Sequence, residues 1–384
     1  MPMKTIPYGL HWVNADDIDA VCTVLKSDWL TQGPMIERFE EEIARYVGTR
    51  YAVAFNSGTS ALHGAMYAAG VSPGDEVITS PITFVATPNS AVYLGARPVF
   101  ADIDMRTYCI DTDLVRAALT DKTKVIAPVD MAGYPVDLPA ITDMAANHDL
   151  VVVEDAAHAL GAMRNGVLVG SEADMTMFSF HPVKHITTGE GGIITTTRED
   201  FAESLRLFRS HGITKDPRRL LKNDGPWYYE MQELGYNYRI TDIQCALGLS
   251  QMKKLERFIA RRNEIAMIYN DAFKDISNII LPPAADAPQS RHAYHLYPIR
   301  VPGNDRKAIF LKLREQGILC QVHYIPVHLQ PYYRDEFGHH DGDYPVAEEY
   351  YRTEISLPLF PRMTDDDVNT VINSVKKAIG DPHE

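Results

Sequence analysis

Short runs of β-branched and apolar residues alternate with helix-length stretches through the first half of the chain, and this alternation constrains the fold most. The runs are YAVAF (51–55), EVITS (76–80), RPVFADI (97–103), KVIAPVD (124–130) and LVVVED (150–155). Between them lie TSALHGAMYAA (59–69) and LPAITDMAANH (138–148), whose apolar residues recur with a helical period. Strands that are apolar throughout are buried on both faces, and parallel strands need crossover helices. The predicted class is therefore α/β, with a large, mostly parallel sheet and helices on both faces. Two further strands are expected at ADMTMFSF (173–180) and GGIITTT (191–197). Asn14 is placed to cap a helix over ADDIDAVCTVLKS, and a second helix, MIERFEEEIARYVG, ends at Gly48. One long helical stretch is expected over 241–273. Beyond it the chain turns to prolines and short strands, and it ends in a helix over TDDDVNTVINSVKKAI. The expected organisation is a large α/β domain over 14–245 and a smaller α+β domain over 246–384, helped by 1–13.

Charge and composition remove several function classes. Lys plus Arg is 37 and Asp plus Glu is 51, a net charge of −14. That balance argues against a nucleic-acid partner, whose phosphates need a basic face. No apolar run approaches the about 18–20 residues that span a bilayer, so no membrane association is expected. The opening MPMKTIPYGLHW lacks the apolar core of a secretory signal. Cys22, Cys109, Cys245 and Cys320 lie far apart. The expectation is therefore no metal site and a reduced, cytoplasmic protein.

Three segments carry chemistry. NSGTSAL (56–62) follows a strand and opens a helix, where free backbone N–H groups and the helix dipole suit a phosphate. Gly58 permits close approach and Thr59 adds a hydroxyl; the same residues also read as an ordinary helix cap. VVVEDAAHALGA (151–162) ends an apolar strand in Glu154 and Asp155. Ligands of α/β folds gather at the carboxyl ends of such strands. An acid there is costly unless it meets a cation, and a protonated pyridine nitrogen is one. Asp155 also reads as a capping residue, and His158 as a half-buried histidine. In MFSFHPVKHITTGEGGIITT (177–196), Lys184 sits in a Gly-rich turn between strands, flanked by His181 and His185. A lysine attacks an aldehyde only when deprotonated, which burial or neighbouring cations promote. A phosphate cradle, an acid on a strand end and a lysine about thirty residues on are together what pyridoxal 5′-phosphate (PLP) requires.

At this point the chain resembles the fold-type I, PLP-dependent aminotransferases, specifically the DegT-type sugar aminotransferases acting on nucleotide-linked ketosugars. The resemblance runs through LTQGP (30–34), NSGTSAL, SPITFVATPNS, EDAAHALGA, SFHPVKHITTGEGG, LGYNYRITDIQCALGLSQ, GILCQVHYIPVH and YYRTEISLPL. It implies that Lys184 holds PLP covalently and moves the proton, and that Asp155 holds the pyridinium proton. By the same resemblance Gly58, Thr59 and Ser179 hold the phosphate, Phe84 stacks on the ring, and His158 stands where the family often has Gln. Asn237 in GYNYR matches a residue that reaches the phosphate from a second subunit, which implies a homodimer with shared active sites.

SFHPVKHITTGEGG, FRSHGITKD, ALGLSQ and QVHYIPV together look most like the transaminases that form UDP-4-amino-4,6-dideoxy-N-acetyl-β-L-altrosamine for pseudaminic acid. That implies a UDP-linked 2-acetamido-2,6-dideoxy-4-ketohexose as acceptor and L-glutamate as donor. Tyr8, Asp28, Trp29, Leu30, Thr31, His323 and Tyr324 lie in matching segments and are the candidate substrate contacts. Arg209, Arg218, Arg219 and Arg239 are further cations that suit a diphosphate or carboxylate, and 216–230 reads as a loop near the sugar. Three rival readings stand beside this one: an aminotransferase for a GDP- or dTDP-linked ketosugar or a 4-keto pentose, a PLP-dependent sugar dehydratase, against which Lys184 argues, and a non-catalytic PLP-fold regulator.

Overall fold

The computed structural model describes residues 4–285 and 289–380. Seven strands form the central sheet: β1 (Tyr51–Phe55), β2 (Glu76–Thr79), β3 (Arg97–Phe100), β4 (Thr123–Ala127), β5 (Val151–Asp155), β6 (Met175–Ser179) and β7 (Gly192–Thr196). Their spatial order is β1-β7-β6-β5-β4-β2-β3. The pairs β2–β3, β2–β4, β4–β5 and β5–β6 are parallel, and β7 alone runs antiparallel, to both β1 and β6. The α/β class with a large, mostly parallel sheet is borne out.

The two-residue period of a strand divides the core. Val53 and Phe55 of β1 pack into one apolar cluster with Ala61, Leu62 and Ala65, while Ala52 and Ala54 point into another with Phe39 and Ile43. Helix α1 (Ala15–Leu25) starts at Asn14, whose side chain accepts from the Asp17 N–H in a reciprocal capping box. Helix α2 (Pro34–Val47) ends at Gly48, where φ is +82°. Helix α3 (Gly58–Ala68) begins immediately after β1, capped by Ser57.

The stretch over 241–273 is two helices rather than one. Helix α4 (Asp242–Met252) is capped by Thr241, and helix α5 (Leu255–Phe273) restarts after two lysines. The break turns Lys254 toward α1, where Nζ donates to Asp17 Oδ2 at 2.6 Å. Asp17 is fully buried, so the charge it brings inside is met by that amine. Beyond α5, Ile265, Tyr269 and Phe273 join Tyr297, Ile299, Leu313, Ile355 and Val371 in a core separate from that of the large sheet, and Ile6 joins it from the N-terminal end. Ile6–Pro7 pairs with Ile318–Leu319, which ties the first described residues to this C-terminal part.

One carboxylate fastens the start of α2. Asp242, at the head of α4 and fully buried, accepts from the Gly33 N–H at 2.7 Å and the Met35 N–H at 2.9 Å. These N–H groups have no partner within their own helix. Asp242→Ala should therefore lower stability by about 1–3 kcal/mol, read as a lower denaturant midpoint; an unchanged midpoint would contradict this anchoring.

Candidate active site

Three of the sheet's carboxyl-end features meet at a cavity of about 430 Å³. The start of α3 brings Ser57, Gly58 and Thr59; the end of β5 brings Asp155, with Ala157 and His158 following; the end of β6 and its loop bring Ser179, His181, Val183 and Lys184. Thr83 and Phe84 close one side, and His295, His323, Tyr324 and Tyr8 come from the C-terminal part and the N-terminal end.

The turn that opens α3 is built by close packing. Ser57 Oγ accepts from the Ser60 N–H at 3.1 Å, which satisfies one orphan donor of the first turn. The N–H groups of Gly58 and Thr59 are left without a protein acceptor among the described residues. A Cβ on Gly192 would stand 2.5 Å from Ser57 O and 2.7 Å from Gly58 N, so only glycine lets β7 lie against this turn. A Cβ on Gly58 would meet Ser179 Oγ at 3.4 Å and fill the space between them.

Adjacent carboxylates on β5 face opposite ways. Glu154 turns from the cavity and accepts from Thr176 Oγ1 at 2.8 Å; burial raises its pKa to about 7. Asp155 lines the cavity. Its Oδ2 accepts from Thr87 Oγ1 at 2.5 Å and its Oδ1 from the Ala157 N–H at 3.1 Å. Burial pushes the Asp155 carboxyl up, opposed by those two donors and by the positive charge of Lys184.

Lys184 Nζ lies 3.4 Å from His295 Nε2. Burial lowers its pKa to about 7, with Asp155 opposing and Arg262 assisting the shift. His158 Nε2 sits 3.2 Å from the Tyr324 hydroxyl, while its Nδ1 is buried without a partner. The His158 ring lies 4.4 Å from that of His295, centroid to centroid, and burial holds both far below the usual histidine range. His323 Nδ1 is 2.9 Å from Ser356 Oγ, and its backbone N–H donates to Glu354 at 2.9 Å.

Of the residues singled out in the sequence, Tyr8, Gly58, Thr59, Phe84, Asp155, His158, Ser179, Lys184, His323 and Tyr324 line this one cavity. Asp28, Trp29, Leu30 and Thr31 do not. They lie on the surface, where Thr31 bridges to Thr241 and the Leu30 carbonyl accepts from the Asp242 N–H. Asn237 is also outside and exposed, next in sequence to Tyr236 and Tyr238, whose rings stack on each other. Its backbone bridges to Ser210. Among the described residues no arginine lines the cavity. Arg209 is spent on Glu40 and the Ala54 carbonyl, Arg218 on Asp216, and Arg219 faces Glu203. The 216–230 loop contributes no residue to the lining either, and its Leu221 and Trp227 are exposed. Sequence reasoning missed His295, Thr87 and Arg262. His295 lies in HAYHLYPIRV, which reads only as a strand.

Comparison with known proteins agrees with this geometry. The model of the DegT/DnrJ/EryC1/StrS aminotransferase family matches residues 12–376. The chain is 43% identical over 379 residues to the spore coat polysaccharide biosynthesis protein SpsC of Bacillus subtilis, covering 97% of each. Among solved structures it resembles PseC of Helicobacter pylori, an aminotransferase of pseudaminic acid biosynthesis, with TM-score 0.91, 35% identity and coverage of 98% and 100%. It also resembles the PMP form of the putative sugar aminotransferase Spr1654 of Streptococcus pneumoniae, with TM-score 0.92, 33% identity and coverage of 98% and 99%. A strand-end acid, an amine held near neutrality and a glycine-lined turn with free N–H groups thus occur on a chain that belongs to the DegT/DnrJ/EryC1/StrS aminotransferase family, whose members depend on PLP.

Proposed function

We propose that the protein transfers an amino group from L-glutamate to a nucleotide-linked 4-ketosugar, a UDP-2-acetamido-2,6-dideoxy-4-ketohexose, and so makes a 4-amino sugar for a pseudaminic acid-type glycan. The likeness to PseC supports the choice of sugar. The observation that carries the chemistry is the placing of Lys184 and Asp155 on one cavity, with the lysine held near neutrality.

The residues present fit PLP. Gly58, Thr59 and Ser179 would hold its phosphate, since the free N–H groups and the space above Gly58 accept an anion there. Asp155 would hold the ring nitrogen, and Phe84 and His158 would flank the ring. When bound, the cofactor supplies an aldehyde that carries the amino group and a ring that withdraws electrons from the reacting carbon. The chain's own residues do the rest. Asp155, steadied by Thr87 and the Ala157 N–H, keeps a proton at the ring nitrogen. Lys184 Nζ, neutral in a large share of molecules near pH 7, takes a proton from one carbon and returns it to another. Val183, Val129 and Tyr324 line the cavity beside the acid and amine and lower its polarity, which strengthens their electrostatics. Tyr8, His323 and Tyr324 stand where a sugar would enter.

In this reading Asn237 serves the site of a second copy, in a homodimer with shared active sites. Asp28, Trp29, Leu30 and Thr31 contact substrate from the same interface. Their exposure leaves them available for such a contact: Trp29 is 55% and Leu30 47% exposed. The proposed location is the cytoplasm, in keeping with four free thiols; among the described residues no helix is long and apolar enough to cross a membrane.

A panel of UDP-, GDP- and dTDP-linked 4-ketosugars offered with glutamate decides the substrate. The UDP-linked N-acetyl sugar should give the fastest 2-oxoglutarate formation; preference for another nucleotide would displace this assignment. Asp155→Asn should lower kcat by about 100-fold or more, and near-normal turnover would remove its role. Lys184→Ala and Asn237→Ala should each be inactive alone, while refolding them as a mixture should restore part of the activity. Absence of rescue would rule out shared sites.

A further inference from the structure

Arg262 on α5, only 1% exposed, lies outside the cavity lining and bonds to the segment that carries His295. Buried guanidinium groups are ordinarily met by a carboxylate. Among the described residues Arg262 makes no ion pair. Its Nη1 donates instead to three carbonyl oxygens: Leu359 at 2.9 Å, Tyr294 at 3.1 Å and His295 at 3.3 Å. Two of these belong to the segment whose His295 ring meets Lys184 Nζ. A charge so expensive to bury, attached to the backbone that presents the lysine's one hydrogen-bond partner, calls for a role.

We propose that Arg262 is a positioning residue for Lys184: its grip on the Tyr294 and His295 carbonyls holds the His295 ring against the lysine amine, and its uncompensated charge disfavours a second cation there. The inference rests on Lys184 as the reactive amine. The groups around that amine are consistent with it. Asp155, from the end of β5, is the one carboxylate whose attraction opposes the lysine's shift toward the neutral form. Glu190 also lines the cavity. His158 faces the amine from the turn after β5, His181 and His185 from its own loop, His295 from the segment before Tyr297, and His323 with Tyr324 from the C-terminal part. Burial keeps these histidines in the neutral form at neutral pH, so they add no competing positive charge. Arg262 thus adds to burial, the larger cause, in favouring the neutral form of Lys184.

The test needs no turnover. The full-length chain, freed of PLP, is pulsed with acetic anhydride over the neutral and alkaline range. Mass spectrometry of the Lys184 peptide then gives the midpoint of its reactivity. The wild-type midpoint should fall near 7. Arg262→Gln keeps donors for the carbonyls but removes the charge, and should raise the lysine's proton affinity about tenfold. Arg262→Lys keeps the charge and should remain near wild type. Equal midpoints in the Gln and Lys variants would overturn the proposal. So would a wild-type midpoint in the ordinary lysine range, a result that stands even if Arg262→Gln fails to fold. PLP attachment to Lys184 is read separately. Its absence from the wild-type chain would sink the aminotransferase role of Lys184 and still leave the midpoints to judge Arg262.

Discussion

A carboxylate and an amine share one poorly solvated cavity, and each is pushed toward neutrality by burial. Asp155 is raised and Lys184 is lowered to about 7, while the attraction between them works against both shifts. Neither group is matched to its surroundings until something else enters. In the proposed function a ring cation would satisfy the acid, and an aldehyde would meet the amine in its neutral form. The unmatched pair is therefore the driving feature of the site, and the sheet exists to hold it. Parallel β5 and β6 end side by side, so Asp155 and the loop carrying Lys184 leave the sheet at the same edge. The antiparallel β7 brings Gly192 against the start of α3 and sets its free N–H groups on the same side.

The balance is fine because the supporting charges are few. Thr87 and the Ala157 N–H keep Asp155 from being neutralised outright. Around Lys184 the partners are imidazoles held neutral, with Arg262 as the buried charge beyond them. A cavity without an arginine of its own also lacks the bidentate group that usually grips a carboxylate. In the proposed homodimer such a group would come from a second copy.

Much of this was legible in the sequence. The strands at Tyr51–Phe55 and Val151–Asp155 fall where their apolar runs lie, because a strand buried on both faces has no polar positions to blur it. Asn14 and Gly48 mark their helix ends through side-chain capping and a left-handed φ, both local effects. The break between Met252 and Leu255 was not legible. Its cause is tertiary, the reach of Lys254 to Asp17 across 237 residues. The site divides in the same way. Gly58, Asp155 and Lys184 are visible because each ends or follows a strand. His295 and Arg262 are not, since their meaning depends on what packs beside them. Asp28 to Thr31 and Asn237 match family positions, yet a single chain keeps them out of the cavity.

One measurement bears on the centre of this account. The purified chain, loaded with PLP, is reduced with borohydride, digested and mapped by mass. The account predicts one pyridoxyl group, on Lys184, with loading lost on Asp155→Ala at limiting cofactor. A label on another lysine, or none, would contradict the pairing of this amine with this acid.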